Sequence, residues 1–106
     1  MRSAREREGG PQAAMELLGQ RWMLRIVWEL TPGPLGFLEL RRRMDNCSSS
    51  MLSVRLQTLC GAGVIVKRAD KAYELTTAGS ELVRALEPLW VWAAGNLSAG
   101  AVVGEQ

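Results

Sequence analysis

Between Ser48 and Leu75 the apolar residues switch from helical to alternating spacing, and this switch restricts the fold more than any other feature of the chain. Ser48, Ser49 and Ser50 each suit the position that caps a helix N-terminus. Leu52, Leu56 and Leu59 then recur at i, i+4 and i+7 until Gly61 and Gly63 end the run. Directly after it, Val64, Ile65 and Val66 form a β-branched stretch, Ala69 to Lys71 carry a turn, and Tyr73 and Leu75 alternate with Glu74 and Thr76. The expectation is a helix anchored along one side only, followed at once by a two-stranded hairpin.

The flanking segments read as further helices. Residues 1–10 are polar and end in Gly9-Gly10, which predicts a flexible N-terminal arm, and Pro11 opens a short first helix with an apolar stripe at Ala13, Ala14, Leu17 and Leu18. From Arg21, the residues Trp22, Leu24, Ile26, Val27, Trp28 and Leu30 crowd nearly every face. That crowding predicts a buried second helix, stopped by Thr31 to Pro34, with Trp22 and Trp28 most simply in the core. Phe37, Leu38 and Leu40, interrupted by Glu39 and followed by Arg41, Arg42 and Arg43, give a short third helix ending near Met44, with Asp45 and Asn46 as the turn. Thr76 or Thr77 caps a last helix carrying Leu82, Val83, Leu86, Leu89, Trp90 and Ala93 on one side and Pro88 as a kink. Residues 11–96 then form one domain and 97–106 a flexible tail. The predicted class is mainly α with a small β-hairpin wing, a winged helix-turn-helix.

Composition excludes much else. A chain of 106 residues has room for one domain. It contains no histidine, which removes the commonest general base and metal ligand, and Cys47 and Cys60 lie thirteen apart with no CxxC pair. No enzyme site, metal site or cofactor is therefore expected. The two isolated cysteines fit a reducing cytoplasm, and no stretch has the roughly 20 uncharged apolar residues of a membrane span. The net charge of +2 hides a basic middle: Arg21, Arg25, Arg41, Arg42, Arg43, Arg55, Lys67, Arg68 and Lys71 face only Glu29, Glu39, Asp45 and Asp70. Such a segment suits a polyanion.

Counting 100° per residue from Leu52 puts Ser50, Val54 and Gln57 on the free face of the fourth helix, with Ser53 at its edge. These are the candidate base contacts: serine and glutamine hydrogen-bond base edges, and valine touches a thymine methyl. Candidate backbone contacts are Ser49, Arg41, Arg42, Arg43, Arg55, Lys67, Arg68 and Lys71. Arg55 sits closer to the leucine face, where a structural ion pair, for example to Glu39, is an equal expectation. Taken singly, the serines fit a loop with one cap and the arginines a solvated helix end; their order along the chain favours DNA.

These residues resemble the HxlR-type, MarR-like winged-helix transcriptional regulators over roughly residues 11 to 95. The resemblance rests on Gly19-x-Arg21-Trp22, Trp28-Glu29-Leu30, Phe37-x-Glu39-Leu40-Arg41, Leu52-x-x-Arg55-Leu56-x-x-Leu59 and Leu75-Thr76-x-x-Gly79. It implies a cytoplasmic bacterial regulator that binds double-stranded DNA as a homodimer on a pseudo-palindromic operator, with the N- and C-terminal helices forming the homodimer interface. The expected interface residues are Leu17, Leu82, Leu86, Leu89, Trp90 and Trp92. Many members carry a sensing cysteine before the first helix, where this chain reads Gly9-Gly10-Pro11; Cys47 is then a packed thiol or, less simply, a redox group. The wing also lacks the Pro-rich insertion common in the family. Two alternatives stay open at this point: a winged-helix protein-interaction module, and a regulator sensing a small-molecule effector near Trp22, Trp28, Trp90 and Trp92.

Overall fold

The computed structural model describes residues 4–97. Its elements are α1 (Ala4–Leu18), α2 (Met23–Leu30), α3 (Phe37–Arg43), α4 (Ser49–Gly61), β1 (Ile65–Lys67), β2 (Tyr73–Leu75) and α5 (Thr77–Asn96). α1 begins well before Pro11, so residues 4–10 are helical rather than an arm. Ala, Arg and Glu are strong helix formers, and over this stretch their preference outweighs the paired glycines and the single proline. Residues 1–3 of the expected arm, and the expected tail beyond Leu97, lie outside the described residues.

The core is assembled by one face of each element. Met23, Ile26, Val27 and Leu30 of α2 meet Leu40 and Met44 from α3 and its end, Leu52, Leu56 and Leu59 of α4, Val64 and Ile65 at the start of the hairpin, and Leu86 of α5. The buried residues of α2 fall at i, i+3, i+4 and i+7, a single stripe, so α2 is one-sided rather than buried all round. Trp28 lies about 100° from Val27 on the helix and stays 53% exposed, packed edge-on against Trp90 with ring centroids 5.4 Å apart. The expectation that it is a core residue is thus corrected, whereas Trp22 does pack partly buried against the core.

The hairpin is antiparallel, with Ile65 opposite Leu75, Val66 opposite Glu74 and Lys67 opposite Tyr73. A rung not expected from the sequence joins it: Leu35, in the α2–α3 connection, exchanges main-chain hydrogen bonds with Tyr73 at 3.0 and 2.8 Å. At the hairpin's root, the Thr76 side chain caps α5 by accepting from the Gly79 N–H, while its hydroxyl also reaches the carbonyls of Gly63 and Val64. Gly79 lies so close to this root that a Cβ there would stand 2.1 Å from the Val64 carbonyl oxygen, which explains the glycine of the Leu75-Thr76-x-x-Gly79 run.

Candidate nucleic-acid interface

The helix-turn-helix is built from α3, a tight turn and α4. Asp45 and Asn46 both take left-handed conformations (φ 59° and 54°), which short polar side chains tolerate, and this reverses the chain within the turn. Ser48 caps α4 by accepting from the Met51 N–H at 3.2 Å, and its hydroxyl lies 3.0 Å from that of Ser50. Leu52, Leu56 and Leu59 dock the helix on the core. Ser49, Ser50, Ser53, Val54 and Gln57 are all exposed, Val54 to 51%. With the Met51 N–H capped by Ser48, the remaining N–H groups of this exposed first turn favour an anion.

Beside α4 the wing closes a groove of about 590 Å³ lined by Gly36, Phe37, Leu38, Glu39, Ser53, Lys67, Asp70, Lys71 and Tyr73. Leu38, read from the sequence only as one of the apolar residues of the third helix, is 78% exposed at this edge. Its position two residues before the buried Leu40, roughly opposite on the helix, was the available signal. Lys71 holds a left-handed φ of 71° in the wing turn, and Lys67 sits over the Tyr73 ring at 5.6 Å. Among the described residues neither lysine is in an ion pair.

The arginines divide differently from the expectation. Arg42 and Arg43 both bond Glu39, Arg43 at 2.9 Å, and these guanidiniums, Arg42 first, hold the Glu39 carboxyl at about 2. Arg68 spans Asp70 and Glu74 at 3.2 and 3.7 Å. These pairs are exposed, worth little in stability, and open to exchange for a phosphate. Arg41 and Arg55 instead brace the framework. Arg41 Nε donates to the Cys47 carbonyl at 2.6 Å across the turn, and Arg55 Nε donates to the Arg21 carbonyl at 2.9 Å, not to Glu39. From α2, Arg25 bonds Glu29 through Nε and the Arg43 carbonyl through Nη2, both at 2.7 Å. Burial pushes the Cys60 thiol up, which keeps it protonated and unreactive near neutral pH.

The chain matches known proteins along most of its length. A family model described as HxlR-like helix-turn-helix matches residues 17–101. The chain belongs to the HxlR family. Its relatives include the HTH-type transcriptional regulators YtcD and YvaP of Bacillus subtilis. YtcD is 31% identical over 93 residues, 82% of this chain and 74% of YtcD, and YvaP is 31% identical over 88 residues, 77% of this chain and 82% of YvaP. Among solved structures, quinone-bound YodB of B. subtilis superposes with a TM-score of 0.76 at 29% identity, covering 81% of this chain and 96% of that one. As an HxlR-family member, the chain is a DNA-binding transcriptional regulator of winged-helix fold.

The expected dimer residues differ in exposure. Leu86 is a core residue at 9% exposure, because α5 must anchor on α2 before it can present anything outward. Leu17, Leu82 and Trp90 also pack, partly buried, on that core. Leu89 and Trp92 remain exposed at 43% and 53%, joined by Val91 at 74%. No described helix is long and apolar enough to cross a membrane.

Proposed function

We propose that this regulator acts in the cytoplasm as a homodimer on a pseudo-palindromic operator, with Ser50, Ser53, Val54 and Gln57 of each α4 reading base edges in the major groove. The observation that carries the reading is the division of α4: three leucines fully withdrawn into the core and five small or polar-to-apolar residues left exposed beside a cationic wing. Ser49, Lys67 and Lys71 would take phosphates directly, and Arg42, Arg43 and Arg68 would do so by leaving their carboxylate partners. Leu89, Val91 and Trp92 supply the exposed apolar surface of α5 for the second subunit. The paired recognition helices would then address half-sites about one DNA turn, ~34 Å, apart.

Selection of bound fragments from a random duplex library tests this. It should return two inverted half-sites at that spacing; unrelated or unpaired sequences would reject the dimeric operator reading.

A second reading concerns control. Trp28 and Trp90 bound an apolar groove of about 470 Å³ with Leu24, Arg25 and Glu29. YodB, a structural relative, is described in a quinone-bound form. The groove gives an aromatic effector a place to stack, and Arg25 at its edge touches the end of α3 through the Arg43 carbonyl. Tryptophan fluorescence titrated with quinones and simple aromatic acids checks it: saturable quenching that Trp28→Leu abolishes supports an effector site, and linear quenching refutes it.

A further inference from the structure

The side chain of Arg55 is the one cation of the recognition helix, and the structure turns its Nε inward. It donates at 2.9 Å to the carbonyl of Arg21, thirty-four residues away in the joint between α1 and α2. That joint is unusual. Trp22 caps α2 in a left-handed conformation (φ 76°) that a bulky residue seldom adopts, and Arg21 stacks its guanidinium over the Trp22 ring at 5.5 Å. The α2 ladder begins with the Ile26 N–H on the Trp22 carbonyl. The Arg21 carbonyl is thereby left outside the ladder, and among the described residues no main-chain N–H reaches it. Arg55 supplies the missing donor.

From this geometry we infer that Arg55 is a positioning residue: its Nε fixes the recognition helix to the α1–α2 joint and so sets how α4 enters the groove of DNA. The inference rests on the DNA-binding reading and adds a residue whose task is orientation rather than phosphate neutralisation. Leucines alone hold α4 against sliding off the core, but apolar contacts are non-directional and leave rotation about the helix axis weakly specified. A single directed hydrogen bond from the middle of α4 to a rigid, strained joint removes that freedom. It also ties α4 to α1, so a shift of α1 at the joint is passed to the reading face.

Two substitutions separate this role from a phosphate contact. Gln carries its amide nitrogen the same number of bonds from Cα as Arg carries Nε, so Arg55→Gln keeps the donor and loses the charge. Arg55→Lys keeps the charge and places a methylene where Nε was. The probe is a fluorescein-labelled duplex recovered by the wild-type protein from a random library, read by fluorescence anisotropy across a salt series, with thermal unfolding recorded for each variant. The expected result is that Arg55→Gln stays within about threefold of wild type, while Arg55→Lys and Arg55→Met lose about tenfold or more with the salt slope unchanged. The inference is overturned if Arg55→Gln falls as far as Arg55→Met with the slope reduced by about 0.9 while Arg55→Lys binds normally, the pattern of a phosphate contact. Equal loss in all three variants, or loss in none, overturns it as well. A wild-type protein that selects no duplex fails the DNA-binding reading instead.

Discussion

Replacing Gly79 by alanine sets two effects of known sign against each other. In an open helix, Gly→Ala is favourable by about 1 kcal/mol because alanine loses less backbone freedom. At Gly79 the new methyl would stand 2.1 Å from the Val64 carbonyl oxygen and 3.1 and 3.2 Å from Cδ2 and Cβ of Leu75. Relief requires α5 to draw back from the hairpin root by roughly 1 Å, since tightly packed backbone cannot give locally. The same Val64 oxygen accepts from the Thr76 N–H at 3.0 Å and from the Thr76 hydroxyl at 3.1 Å, so the retreat stretches the α5 cap and the base of the wing together. Overpacking of this kind costs about 1–3 kcal/mol, and it must first cancel the propensity gain. Gly95, in the same helix with nothing within 4 Å of its Cβ position, is the matched control. Urea unfolding followed by circular dichroism at one fixed protein concentration should show Gly79→Ala destabilised by about 1–3 kcal/mol. Gly95→Ala should be neutral or stabilised by up to about 1 kcal/mol. A Gly79→Ala protein as stable as wild type would show that α5 does not seat on Val64 as described.

Other expectations follow from single contacts. Glu39→Gln removes the carboxylate that Arg42 and Arg43 must leave before they take phosphates, so affinity for a mixed duplex should rise while the log–log salt slope stays that of wild type, measured by anisotropy. Because Glu39 is held at about 2 against an ordinary value of 4.5, its pairing stabilises the fold fully above the ordinary value, and this contribution is lost as pH falls from there through about 2. Because the pairs are exposed, the unfolding midpoint of wild type should drop only slightly relative to Glu39→Gln over that window, and a wild-type midpoint that rises relative to the variant as pH falls would contradict the pairing. Leu56→Ala removes a fully buried side chain between α4 and the core and should cost about 2–5 kcal/mol in urea unfolding. Trp92→Glu should weaken self-association, seen as a concentration-dependent shift in analytical ultracentrifugation, without lowering the helix content of the protomer.

The parts of the fold readable in the sequence were those settled within a few residues. The Ser48 cap, the leucine stripe of α4, the Asp45–Asn46 turn and the hairpin each depend on neighbours in the chain. Periodicity alone also places Ser50, Val54 and Gln57 away from the leucines. Arginine assignments were not legible, because a guanidinium chooses its partner in space: Arg55 reaches Arg21 and Arg25 reaches Arg43 across gaps that no local pattern marks. The left-handed Trp22 was hidden for a similar reason, since a bulky residue carries no signal for that conformation. Trp28 was misplaced because apolar residues on α2 outnumber its buried stripe, and only packing shows which of them turn outward. The early start of α1 reflects summed helix preference overriding two glycines.

The central claim is that the exposed face of α4 reads sequence while the cations around it supply affinity. It is tested most directly by measuring Gln57→Ala and Val54→Ser binding to a selected operator and to mixed duplex across a salt series. The account predicts that both variants lose about tenfold on the operator, keep their affinity for mixed duplex and keep the wild-type salt slope. Variants that discriminate the operator as well as wild type does would contradict it.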